Sequence, residues 1–164
     1  MQVLSRQRGV SLIEVLVAMV IFSVGVLGIA LMQIKGAQFS KQAGARTVAV
    51  LQARSLADAM RANPAGVYGP SGNTGDLSGS YYKYDGTAAP DPSSCGDSNG
   101  PCAQAMSDLA GWLKELNAGT ATPVASVQPN PNAGTLTIKI SWKAMSPGVI
   151  NDTTTDAYQF DYQP

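Results

Sequence analysis

The chain has 164 residues, enough for one modest domain beyond any membrane segment. It holds no histidine and only two cysteines, which excludes Ser-His-Asp and Cys-His catalysis, His-bearing zinc sites and a purely thiolate structural zinc site. The formal charge is zero but unevenly placed: residues 1–63 carry seven bases and two acids, and residues 64–164 carry four lysines and nine acids, which removes a general nucleic-acid footprint from the C-terminal part. The leader Met1–Gly9 places Arg6 and Arg8 before an apolar run. By the positive-inside rule the leader stays in the cytoplasm and the C-terminal part is sent across. One acid, Glu14, sits just inside the apolar run, and Val15–Met32 then has no charge. A run of this length spans a bilayer with some tilt, and an acid at its mouth is costly enough to require a reason.

Val10 to about Ala62 is predicted as one long helix. Its first half is apolar all round. In its second half Ala45, Val48, Ala49, Ala53, Leu56, Ala59 and Met60 recur at three- and four-residue spacing and share a face. Arg54, Asp58 and Arg61 lie opposite, with Arg54 and Asp58 four residues apart. A helix this long does not hold in water on propensity alone, so the face implies a covering domain. Asn63-Pro64 ends it, because the residue before proline avoids the helical region. About 52 helical residues measure roughly 78 Å, more than twice a bilayer core, so the helix must project from the membrane.

Residues 65–101 are rich in Gly, Ser, Pro and Asp and are predicted as a long turn-filled loop, with a short strand at Ser80–Tyr84. Tyr81, Tyr82 and Tyr84 suit either a contact surface or a cover for the sheet. The Asp85–Asp97 stretch lacks EF-hand spacing and reads as solvated loop rather than a calcium site. Cys95 and Cys102 close the loop. In an exported domain a disulfide between them is the default expectation, stabilising by ~2–3 kcal/mol through the unfolded state. Residues 103–117 are predicted as a second helix, with Met106, Leu109, Leu113 and Leu116 as its stripe and Trp112 at the edge. Val124–Val127 reads as a short strand, followed by the turn-rich Pro129–Gly134. Leu136, Ile138, Ile140 and Trp142 alternate with polar residues and give the clearest strand signal. Tyr158, Phe160 and Tyr162 alternate as a closing strand. The fold class predicted is α+β, a small antiparallel sheet packed on helix.

Arg8-Gly9-Val10-Ser11-Leu12-Ile13-Glu14 resembles the class III signal of type IV pilins and type II secretion pseudopilins. The resemblance implies a pilin-like fold: leader 1–9, a transmembrane and assembly half of the long helix at 10–34, its amphipathic half at 35–63, and a periplasmic or extracellular head at 64–164. It further implies cleavage after Gly9 and N-methylation of Val10, which stands where the family usually has phenylalanine. Glu14, at mature position five, would guide assembly. After cleavage the amine of Val10 lies four residues from Glu14 on one helix face, so the pair would neutralise two costly charges and set axial register. The alternative is a glutamate held among headgroups.

Farther along, Asp108-Leu109-Ala110-Gly111-Trp112-Leu113 and Leu136–Trp142 resemble the C-terminal elements of PilV-type minor pilins. That likeness implies a structural protein of the type IV pilus, not an enzyme, without a cofactor or metal. It would join other minor pilins to prime fibre assembly and would support adhesion or motility. Implied partners are those minor pilins, the major pilin, the prepilin peptidase and the inner-membrane assembly platform. Implied locations are the inner membrane and then the fibre. The alternatives are a type II secretion pseudopilin and a membrane-anchored pilin for DNA uptake, and the acidic C-terminal part argues against direct DNA binding.

Overall fold

The computed structural model describes residues 11–144 and 154–164. A single helix, α1, runs from Leu12 to Ala62, 51 residues or ~77 Å at ~1.5 Å per residue. Gly25 and Gly28 do not interrupt it, and its N-terminal half is wholly exposed. Burial begins in the second half, where Ala49, Ala53, Leu56, Ala57 and Met60 face the head. Ala45, Val48 and Ala59 flank that face half-buried. Asp58 pairs with Arg61 one turn on, not with Arg54.

Asn63 leaves the helical region and α1 stops. Its side chain then accepts from the Gly66 amide, 3.1 Å, and so caps a five-residue helix, α2, at Pro64–Tyr68. The predicted strand at Ser80–Tyr84 does not form. Gly69, at φ 67°, turns the chain so tightly that a side chain there would strike the Gly79 carbonyl. The segment returns, and the Tyr81 amide donates to the Gly66 carbonyl at 3.0 Å. Only Tyr84 pairs with the sheet, exchanging two backbone bonds with Val127 at 2.9 and 2.7 Å. This contact covers part of an otherwise open edge strand.

Helix α3 spans Pro101–Gly119, two residues longer at each end than its apolar stripe suggested. Its buried positions are Ala103, Ala105, Leu109, Trp112 and Leu116. Trp112 is thus central, while Met106 and Leu113 are only half-buried. The Trp112 indole N–H donates to the Gln52 carbonyl of α1 at 3.0 Å, which lets a large aromatic sit at the helix–helix seam with its polar atom satisfied.

Three antiparallel strands follow in the order β1 (Val124–Asn130), β2 (Thr135–Lys143) and β3 (Thr155–Tyr162). β1 runs past the expected Val127 to Asn130. Pro129 is tolerated because β1 is an edge strand. Gly134, at φ 62°, completes the β1–β2 turn. Central β2 buries Leu136, Ile138, Ile140 and Trp142, and α1 packs against β2, β3 and α3. The fold is α+β and pilin-like, a long helix whose second half is embedded in a small head.

Candidate assembly site

The exposed half of α1 begins with Ser11 at its N-cap position, where the Ser11 carbonyl accepts from the amides of Glu14, 3.0 Å, and Val15, 3.3 Å. Glu14 therefore lies in the first helical turn, where the helix dipole favours an anion. With Val15, Ala18, Met19 and Phe22 it borders a shallow groove along the helix. Beyond it, Val15 to Ile34 presents large apolar side chains to the outside all round the helix. The helix is long and apolar enough to cross a membrane by length and composition. Gly9 and Val10 lie outside the described residues.

At the other end, the head grips α1 through polar contacts as well as apolar ones. The Tyr82 hydroxyl donates to Asp108 Oδ2 of α3 at 2.6 Å and also faces the Ala59 carbonyl of α1 at 3.3 Å. Asn63 Nδ2 donates to the Pro101 carbonyl at 2.9 Å and meets the Tyr82 hydroxyl at 3.4 Å. Burial and the Asp108 carboxylate together push the Tyr82 phenol well above its ordinary range. Nearer the exposed half, Gln42 Nε2 donates to Asp156 Oδ2 of β3 at 2.8 Å. None of these ties was visible in the sequence, because each joins residues far apart in the chain.

Cys95 and Cys102 are bonded to one another, with Cα atoms 5.8 Å apart. Cys102 lies in the first turn of α3, so the bond fastens the long loop to that helix. Within the loop, the carboxylates of Asp76, Asp85, Asp91 and Asp97 accept from the amides two residues on, at 2.8–3.0 Å. The Asp-x-Ser, Asp-x-Thr and Asp-x-Asn spacings were the overlooked signal of these turns. The backbone amide of Ser78 chiefly holds the Asp76 carboxyl below its usual range. The hydroxyls of Thr87 and Ser93 do so chiefly for Asp85 and Asp91. No group of three or more metal-ligating side chains occurs among the described residues.

Residues 4–30, which span the basic leader, Glu14 and most of the apolar run, match the family described as Prokaryotic N-terminal methylation motif. The match supports a type IV pilin-like protein. The motif is that of pilus and pseudopilus subunits; it suggests a structural protein and implies association with assembly machinery and other pilins in general. The motif and the apolar helix together fit a membrane-anchored pilin. Comparison with curated proteins found no match, and neither did comparison with solved structures.

Proposed function

We propose that this protein is a minor pilin of the PilV type, which joins other minor pilins in a complex that primes type IV pilus assembly and supports adhesion or motility. The observation that carries the reading is the methylation-motif match at residues 4–30, whose part from Leu12 onward lies on an apolar helix that continues unbroken into the head. In this reading residues 1–9 are a leader removed after Gly9, and the new terminus at Val10 is methylated. Residues 10–34 anchor the subunit and later pack in the fibre, residues 35–63 carry the head, and residues 64–164 are that head, exported across the inner membrane. Glu14 sets register by pairing with a terminal amine. The prepilin peptidase, the major pilin and the assembly platform are its other partners. The bonded cysteines and the Trp112 helix favour a pilus subunit over a type II secretion pseudopilin. The net negative charge of residues 64–164 argues against a head that holds DNA.

Intact mass spectrometry of the subunit recovered from sheared surface fibres tests the reading. The expected species lacks residues 1–9, carries a methyl group on Val10 and retains the disulfide. Retention of the subunit in the envelope alone, with none in sheared fibres, would assign it to a pseudopilus instead.

A further inference from the structure

Where α1 enters the head, a cleft of about 440 Å³ opens between that helix and the end of β2. Lys41, Ala45 and Val48 wall one side, and Ala121, Trp142 and Lys143 wall the other. Two ammonium groups border it, and no acid does among the described residues. The residues of the head otherwise carry an excess of acids. Two cations and an apolar wall of Ala45, Val48 and Ala121 complement an anion that carries apolar chains.

The cleft's height along α1 narrows the choice of anion. Lys35 is the first charged residue after Val15–Ile34. Lys41 follows six residues later, about 9 Å along the axis at ~1.5 Å per residue. Helical side chains lean toward the N-terminus, so the Lys41 ammonium hangs back toward the apolar run. The polar zone of a bilayer extends roughly 5–7 Å beyond its hydrocarbon core, which brings phosphates within reach of this lysine. Resting on the reading of Val15–Ile34 as a membrane span, we propose that this cleft seats the phosphodiester headgroup of an anionic phospholipid from the leaflet that α1 leaves. Lys41 and Lys143 are its phosphate-facing cations. The contact holds the head against the bilayer before the subunit is drawn into a fibre.

The test places the full chain in nanodiscs of phosphatidylcholine and phosphatidylglycerol, extracts it gently, and counts bound lipids by native mass spectrometry. The wild-type chain is expected to keep phosphatidylglycerol in preference to phosphatidylcholine. Lys41→Gln and Lys143→Gln should each lower that retention about fivefold, with a further fall at high salt. Arginine at both positions should restore it. Both lysines are exposed, so an unchanged unfolding midpoint ties the loss to charge. Equal retention of the two lipids, or full retention by the double glutamine variant, overturns the proposal. Cross-linking of two chains through the cleft, abolished in the double glutamine variant, assigns it to a second copy and also overturns it. A chain that fails to enter the nanodisc defeats the membrane reading together with the proposal. A chain that enters and shows no lipid preference defeats the proposal alone.

Discussion

Tyr82 joins the loop to both helices through one oxygen. Its hydroxyl has a single hydrogen, and the shorter bond to Asp108 is charge-assisted, so that bond dominates over the longer approach to Ala59. Tyr82→Phe keeps the ring and leaves the Asp108 carboxylate without this donor, though Gln104 still serves its other oxygen. The expected loss is about 1–3 kcal/mol in denaturant unfolding of the full chain in detergent. The same tyrosine predicts a pH dependence. Its phenol binds the proton more tightly in the folded chain than in the unfolded one, because burial and the carboxylate both disfavour the phenolate. The stabilisation is therefore fully present below about pH 10, the ordinary tyrosine range, and declines as the pH rises above it, by at most ~1.4 kcal/mol per unit. Tyr162 adds a smaller slope of the same sign, since burial raises its pKa while Arg61, 5.7 Å from the ring centre, opposes the rise. Unfolding midpoints between neutral and strongly alkaline pH should thus fall more steeply for the wild type than for Tyr82→Phe. Parallel curves would show that the Tyr82 phenol does not contribute to the pH dependence. At the acid end the sign reverses. Asp76, Asp85 and Asp91 hold their protons less tightly when folded, so their contribution is present above the carboxylate range and is lost as pH falls through it.

Between elements, the buried face of α1 is built largely from small residues. Ala49, Ala53 and Ala57 of α1 and Ala105 of α3 are at most 1% exposed, in one core with Leu56, Leu109 and Leu116. Ala53 is fully buried, so Ala53→Leu adds volume to a filled core. It should cost about 1–3 kcal/mol, read as a lower unfolding midpoint of the head with α1 still helical by circular dichroism. The Cys95–Cys102 bond acts on a different term. It closes a short loop at the start of α3, and replacing both cysteines by serine should destabilise by about 2–3 kcal/mol through the freed unfolded chain. A double serine variant as stable as the wild type under the same conditions would show that the loop is already held by its Asp turns. These elements differ in how far sequence revealed them. The three-to-four-residue recurrence along α1 and the strict alternation of Leu136 to Trp142 are repeated many times, so local pattern suffices. A stripe through Met106, Leu109, Leu113 and Leu116 leaves Trp112 at its edge. The buried line actually runs through Ala105, Leu109, Trp112 and Leu116, and its alanine carries little hydrophobic signal. The loop was least legible. Tyr84 alone pairs with β1, and a one-residue bridge has no period to detect. Likewise the cleft beside Lys41 draws on α1, β2 and the α3–β1 link, which only folding brings together.

For the whole molecule the governing fact is that one helix serves two environments. Its second half is covered by the head, while from Leu12 to Ile34 its large apolar side chains stay between 43% and 87% exposed. A continuous apolar surface of this kind needs lipid or like helices around it. Glu14 lies at the border of that surface, and an acid moved into apolar surroundings requires a cation. Under the proposed processing the nearest one is the freed amine of Val10, its own or a neighbour's, one helical turn away. Glu14→Val removes this pairing and makes the helix more apolar, so membrane retention and cleavage should be unchanged while entry into fibres falls. A charge-assisted contact worth about 1.5–3 kcal/mol corresponds to a drop of about tenfold or more in the share of subunit recovered from sheared fibres. Intact mass of the membrane-bound pool reports cleavage, and quantitative blotting of membrane and fibre fractions reports entry. Equal recovery of the variant and wild type would leave Glu14 as an interfacial residue without a part in register. Glu14→Gln separates charge from polarity, because it keeps the size of the side chain and one acceptor oxygen. If charge neutralisation sets register, the glutamine variant fails as completely as the valine variant, although only valine abolishes the polar contact.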